Sequence, residues 1–249
     1  METSGRTRRV AFVTGASRGI GKAIARALLE QGYKVACGYR ANKAGLDELR
    51  DKYPCAYPVE VDIHARVSIK AAIATARERF DRPIDILVNN AAIADERAFD
   101  SITDDQWDRV LETNLRGPFA FTQEILPAMI ENRWGRIVNI VSIGGQWGGM
   151  RQVHYAAAKA GLINFTQSIA KLYSAKGITS NAVSPGLVGT EMVANELASD
   201  EGRAKVANIP IGRIATPEEV ASAVAFLCTN GAAYITGQTL NVNGGMYFG

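Results

Sequence analysis

Tyr155 and Lys159 stand four residues apart in the stretch Gln152-Val153-His154-Tyr155-Ala156-Ala157-Ala158-Lys159-Ala160-Gly161. The alanines favour a helix, and Leu162, Ile163 and Phe165 continue it at helical spacing. Phenol and ammonium therefore share one helix face, a turn apart. A tyrosine in water titrates near pH ~10, and a fixed positive charge beside it favours the phenolate and lowers that value. A phenol tuned in this way suits a general acid for carbonyl reduction. The same spacing also fits an ordinary, partly solvated helix face, so the elements around it must decide.

Those elements alternate. Arg9 to Thr14 is a short apolar, β-prone run that stops at Gly15, and Gly15-Ala16-Ser17-Arg18-Gly19-Ile20-Gly21 leads into apolar residues at helical spacing from Ala23 to Leu29. Further strands are predicted at Lys34–Gly38, Tyr57–Asp62, Ile84–Asn89, Arg136–Val141, Ile178–Val183 and Thr239–Val242. Helices are predicted at Gly45–Lys52, Val67–Phe80 and Asp104–Glu131, the last split near Asn114 to Pro118. The helix of Tyr155 runs to about Lys176, and Pro217–Leu227 follows a cap at Thr216. Strands alternating with such helices make a parallel sheet with helices on both faces, because right-handed crossovers return each strand beside the last. The fold class is α/β, doubly wound, with ligands at the carboxyl ends of the strands. The tract Leu187 to Ile214 lacks clear periodicity and is long enough to be a mobile lid.

At 249 residues and 47% hydrophobic content, the chain can bury a sizeable core as one domain, 1–249. The net charge of +3 comes from intermixed signs, and the only basic cluster is Arg6, Arg8 and Arg9. A nucleic-acid footprint needs a stripe or patch, which is absent. Cys37, Cys55 and Cys228 are scattered and odd in number, which argues against a disulfide framework or a metal site and for reduced thiols. The polar N-terminus, and apolar runs far short of the roughly 20 residues of a membrane span, lead to the expectation of a cytoplasmic protein that binds no membrane.

The glycines at 15, 19 and 21 depart from the G-x-G-x-x-G spacing, yet the physics is shared. A turn without Cβ atoms lets N–H groups at a helix N-terminus approach a pyrophosphate. Ser17, Arg18 and Ile20 belong to the same turn. Where many NAD sites end the second strand with a carboxylate for the ribose hydroxyls, this chain reads Gly38-Tyr39-Arg40. Arg40, helped by Arg18, would neutralise a 2'-phosphate, so NADP(H) is the expected cofactor. Asp62, beside Ile63, would accept from the adenine amino group, and Asn89-Asn90-Ala91-Ala92 puts small residues where a cofactor passes closely.

Taken together, the chain resembles the short-chain dehydrogenase/reductase family over essentially its whole length. The matching stretches are Thr14 to Gly21, Asn89 to Ala92, Asn114, Ser142, Tyr155 to Lys159 and Ser184-Pro185-Gly186. Within the family it is most similar to the 3-oxoacyl-(acyl-carrier-protein) reductases of type II fatty acid synthesis, through Tyr155 to Leu162, Ala232 to Gly237 and Asn241 to Tyr247. Family members usually carry glycine where this chain has Ala92.

The resemblance implies a Rossmann-type fold and NADPH-dependent reduction of a 3-oxoacyl thioester. It makes Tyr155 the proton donor, Ser142 a hydrogen-bond donor to the same oxygen, Lys159 the holder of the nicotinamide ribose, and Asn114 the holder of a water that relays the proton. Pro185, Gly186, Val188 and Thr190 would meet the nicotinamide end. Arg133 and Lys171 would steer an acidic acyl carrier protein, and a homotetramer is implied. Trp147, His154 and Met192 are candidate walls of the substrate pocket, with a place in the core or at the rim equally open. A dehydrogenase for another secondary alcohol (sugar, steroid or xenobiotic ketone) and a non-catalytic cofactor-binding regulator are the competing readings.

Overall fold

The computed structural model describes residues 9–190 and 200–249, and its strands form one seven-stranded sheet. The strands are β1 (Val10–Val13), β2 (Lys34–Tyr39), β3 (Ala56–Glu60), β4 (Ile86–Asn89), β5 (Gly135–Ile140), β6 (Ile178–Pro185) and β7 (Thr239–Val242). Every neighbouring pair is parallel, in the order β3-β2-β1-β4-β5-β6-β7, as a doubly wound α/β sheet requires. The winding reverses between β1 and β4, which opens a crevice outside the carboxyl ends of these strands.

The helices are α1 (Gly19–Glu30), α2 (Ala44–Lys52), α3 (Arg66–Phe80), α4 (Asp104–Leu111), α5 (Gly117–Glu131), α6 (Gly144–Trp147), α7 (Val153–Tyr173), α8 (Asp200–Ala207) and α9 (Pro217–Leu227). Alternation along the strands sorts their side chains into two cores. Ala11, Val13, Val35, Cys37, Ile86 and Val88 pack with Ile24 and Leu28 of α1, Leu46 and Leu49 of α2, and Val220 and Val224 of α9. Val10, Phe12, Ala36, Leu87 and Ile137 pack with Ile69 of α3, Phe121 and Ile125 of α5, and Ile169 of α7. Each large aliphatic or aromatic side chain buried this way contributes roughly 1.5–3 kcal/mol, which is what holds helices to both faces.

A polar chain crosses the second core. Asn89 Nδ2 donates to Asn139 Oδ1 at 2.8 Å, Asn139 Nδ2 to Thr166 Oγ1 at 2.8 Å, and Thr166 Oγ1 to the Leu162 carbonyl at 2.7 Å. Leaving a buried member unpaired costs about 1–3 kcal/mol, so the chain pins α7 to β4 and β5 in one position. The asparagine at 89 is therefore a core residue.

α4 and α5 run into each other through a π-helical turn, Glu112–Arg116. The predicted split is thus a widened turn, and Asn114 lies inside it. β3 ends at Glu60, two residues short of the expected end at Asp62, which leaves Asp62 in the loop before α3. β6 extends to Pro185, and a short 3-10 turn, Ser174–Lys176, separates the end of α7 from Gly177.

The tract expected to be a lid contains α8, whose polar sequence carries no apolar stripe to announce it. Val188 forms a parallel bridge with Ala215. Residues 191–199, Met192 among them, lie outside the described residues. Among the described residues no helix is long and apolar enough to cross a membrane, and Cys37, Cys55 and Cys228 are free thiols.

Candidate active site

β5 delivers Ser142 two residues beyond its end, and α7 delivers Tyr155 in its first turn and Lys159 one turn later. The Gly144 N–H donates to Ser142 Oγ at 3.2 Å. That bond orients the hydroxyl beside Tyr155 and leaves its proton free for a second partner. Lys159 is buried, and its Nζ donates to the Ile140 carbonyl at 2.8 Å.

Burial dominates the electrostatics of both groups. Tyr155 is half-buried, and loss of water around its hydroxyl pushes the phenol up to about 12, with the Ser142 hydrogen bond working in the opposite direction. The expected lowering by Lys159 is thereby reversed, because an environment poor in water disfavours the phenolate. The same cause acts on Lys159 with the opposite sign and pushes its ammonium down to about 7. Near neutral pH the phenol therefore holds its proton, the form a general acid needs, while the lysine sits close to its titration point.

Asn114 is fully buried in the π-helical turn. Its Nδ2 donates to the carbonyls of Val110 and Ile93, each at 2.9 Å, and its Oδ1 is left as a buried acceptor without a protein partner. α7 packs on this turn: a Cβ placed on Gly161 would come within 3.0 Å of the Leu115 side chain.

The glycine turn sits on the switch side of the sheet. Gly15 has φ +64, and a Cβ on Gly21 would collide with the Gly15 carbonyl oxygen. Asn90 clamps the turn from β4, donating from Nδ2 to the carbonyls of Thr14 and Gly15 at 2.9 and 3.1 Å. Thr14 Oγ1 in return accepts from the N–H groups of Asn90 and Ala91 at 2.9 and 3.0 Å. The result is a close, rigid cradle at the N-terminus of α1, where the helix dipole favours an anion. A dinucleotide pyrophosphate fits such a cradle. The Thr190 methyl lies 3.4 Å from where a Gly19 Cβ would be, so the chain after β6 returns to this turn.

Other expected residues fall as follows. Arg40 is exposed, with Nε 3.9 Å from Asp62 Oδ1, so the two residues read separately from the sequence face each other. Ile63 lies against Gly117 at the start of α5. Pro185 closes β6, and Gly186 packs against Asn243 and Met246. The Val188 side chain belongs to the core, leaving its backbone for the expected contact. Trp147 is 52% exposed and meets Tyr247 edge-on, with centroids 6.0 Å apart. His154 is fully buried, the core place that the sequence left open beside a pocket wall. A separate hollow of ≈ 390 Å³ at the β3 edge, lined by Tyr39, Lys43, Arg50, Tyr57 and Arg79, contains none of the expected site residues.

Four contributing residues were not legible. Gly45 of α2 abuts the Ser17 carbonyl, and a Cβ there would collide with it. His64 and Thr113 hydrogen-bond between the β3–α3 loop and the π-helical turn at 2.8 Å. Gln146 Nε2 donates to Ser184 Oγ at 2.9 Å and Asn241 Oδ1 at 2.7 Å, tying the loop after Ser142 to β6 and β7. A glycine inside a helical pattern was the one available signal, at position 45.

A crevice at the winding reversal, an anion cradle beside it, and a serine–tyrosine pair over a buried lysine define a nicotinamide-dependent oxidoreductase. A family model described as enoyl-(acyl carrier protein) reductase matches residues 15–247, and the chain belongs to the short-chain dehydrogenase/reductase family. It is 46% identical over 242 residues to an acetoacetyl-CoA reductase of Rhizobium meliloti (strain 1021), covering 96% of this chain and 99% of that protein. An acetoacetyl-CoA reductase of Shinella zoogloeoides is 43% identical over 243 residues, with the same two shares. A 3-oxoacyl-(acyl-carrier-protein) reductase of Aquifex aeolicus (strain VF5) is 44% identical over 245 residues, covering 96% of this chain and 97% of that protein.

Proposed function

We propose that the protein reduces a 3-oxoacyl thioester, carried on acyl carrier protein or coenzyme A, to the 3-hydroxyacyl form with NADPH. The observation that carries this reading is Ser142, its hydroxyl oriented by the Gly144 N–H, set beside a phenol at Tyr155 that burial keeps protonated. Two hydroxyl donors side by side suit a single oxygen that becomes negative, as a ketone oxygen does on reduction. The names of the relatives, acetoacetyl-CoA and 3-oxoacyl-(acyl-carrier-protein) reductases, supply the thioester class.

In this mechanism Tyr155 gives its phenolic proton to the substrate oxygen, and Ser142 donates a second hydrogen bond to it. The reduced nicotinamide, when bound, supplies a hydride for the carbonyl carbon. Lys159, poised near neutrality, favours re-protonation of the tyrosine and would hold the nicotinamide ribose. Asn114 Oδ1 is an acceptor suited to a water that links Lys159 to solvent. Gly15, Ser17, Gly19, Ile20 and Gly21 would hold the pyrophosphate. Asp62, Ile63, Asn90 and Ala91 would line the adenosine and ribose side, and Pro185, Gly186, Val188 and Thr190 the nicotinamide end. Arg18 and Arg40 favour NADP(H), since both are exposed cations at the strand ends where a 2'-phosphate would sit.

On this reading one domain, 1–249, carries cofactor and substrate together, with 187–214 as its lid. It works in the cytoplasm as a homotetramer. Arg133 and Lys171 are both exposed, as guidance of an acidic carrier protein requires.

The test is NADPH consumption with acetoacetyl-CoA and with acetoacetyl-loaded carrier protein, set beside cyclic and sugar ketones. Turnover of the thioesters is expected. Turnover confined to the other ketones would replace the substrate class, and none with any ketone would leave a cofactor-binding regulator.

A further inference from the structure

A run of close polar contacts through His64 links the loop after β3 to the π-helical turn that holds Asn114. Asp62 Oδ1 accepts from the His64 backbone N–H at 3.1 Å and lies 3.3 Å from His64 Nδ1. On the other side of the ring, His64 Nε2 is 2.8 Å from Thr113 Oγ1. The Thr113 hydroxyl has one hydrogen, and it goes to the Arg109 carbonyl at 2.8 Å. Its oxygen therefore accepts from the imidazole, which assigns the Nε2 hydrogen. The loop is braced against the same turn twice more: Arg116 Nη1 donates to the His64 carbonyl at 3.1 Å, and Ile63 packs on Gly117.

Both ends of this run matter. Thr113 directly precedes Asn114, whose amide nitrogen is committed to two carbonyls and whose Oδ1 is the acceptor left over. At the other end, Arg40 Nε approaches the same Asp62 oxygen that faces His64. The Asp62 oxygen holds the His64 backbone N–H and the ring is half-buried, so a change in what Asp62 bonds to shifts His64 as a unit and is delivered at Nε2 to the π-helical turn.

We infer that His64 is a positioning residue that couples the Asp62–Arg40 edge of the cofactor cleft to the turn presenting Asn114. The inference rests on the nicotinamide reading above. Through His64, engagement of the adenosine half at Asp62 sets the direction of Asn114 Oδ1, so cofactor binding and proton return are linked by side chains remote from the reacting atoms.

The test uses His64→Ala, His64→Gln, Thr113→Val and the double variant His64→Ala/Thr113→Val. The Gln variant keeps a nitrogen donor within reach of Thr113 Oγ1. Each is measured for kcat and KM, for NADPH affinity by fluorescence titration of the reduced cofactor, and for thermal unfolding. His64→Ala and Thr113→Val are each expected to lower kcat by about tenfold, the size of one buried hydrogen bond. The double variant should be no slower than either single one, and His64→Gln should recover most of kcat. NADPH affinity should fall in His64→Ala and hold in Thr113→Val, because only His64 touches Asp62.

Unchanged kcat in His64→Ala, strictly additive losses, or no recovery in His64→Gln overturns the coupling. Should His64→Ala fail to fold, the comparison of His64→Gln with Thr113→Val decides it: equal kcat in the two overturns the coupling. Wild-type protein that binds neither NADPH nor NADH overturns the cofactor reading itself, which is a different result from intact binding with unaffected variants.

Discussion

Lys159 Nζ lies 5.5 Å from the centroid of the Tyr155 ring while donating to the Ile140 carbonyl, so one buried ammonium serves both the end of β5 and the first turns of α7. Its folded value of about 7 lies below the ~10.4 of an unfolded lysine. Between those values the unfolded chain holds a proton that the folded chain does not. The stability contributed by Lys159 is therefore present above pH ~10.4 and lost as pH falls through about 7. Chemical denaturation of wild type and Lys159→Met from about pH 6 to about pH 10 should show wild-type stability rising relative to the variant. Parallel curves would mean the lysine keeps its ordinary proton affinity. Tyr155 has the opposite sign in a separate window: its contribution is lost as pH climbs from ~10 through about 12.

Removing the phenolic hydroxyl removes the acid. Tyr155→Phe is expected to lower kcat by about 10²–10⁴ while NADPH affinity holds. Ser142→Ala, which deletes one donor to the developing charge, should cost about 10²–10³ in kcat. Steady-state kinetics with a cofactor titration check both. Substantial turnover by Tyr155→Phe would place the acid elsewhere.

Arg40→Asp should move the ratio of kcat/KM values for NADPH and NADH toward NADH. The substitution removes a cation from the strand end and sets a second carboxylate beside Asp62. The native pair is solvent-exposed, so its loss changes stability by no more than about 1 kcal/mol and leaves cofactor choice as the readable effect. An unchanged ratio would show that Arg40 never meets the phosphate.

Gly45→Ala tests the cradle from behind. The added methyl collides with the Ser17 carbonyl, and overpacking of this kind costs about 1–3 kcal/mol, delivered here as displacement of the glycine turn. NADPH affinity should weaken while the circular dichroism of the sheet stays native. Affinity equal to wild type would show that α2 gives way instead.

Much of the site was legible because its parts are local. Gly15 to Gly21, Asn90 and Ser142 follow an apolar strand closely and Pro185 ends one, so placing the strand places the residue. Tyr155 and Lys159 share a helix face by spacing alone. His64 and Thr113 were invisible for the opposite reason: 49 residues separate them, and only the packing of the β3–α3 loop against the π-helical turn makes them neighbours. His154 stayed open between pocket wall and core in the sequence, because adjacency to Tyr155 says nothing about which helix face is covered; the structure buries it.

The sequence by itself determined the alternation of strands and helices, the α/β class, the glycine turn and the order Asn114, Ser142, Tyr155, Lys159 along the chain. These follow from periodicity, turn chemistry and backbone space, which act over a few residues. Tertiary structure alone decided that burial outweighs the lysine charge at Tyr155, that Arg40 faces Asp62, and that Asn114 keeps one buried acceptor. Desolvation and hydrogen-bond satisfaction depend on which distant segments the sheet brings together, and no local spacing carries that information.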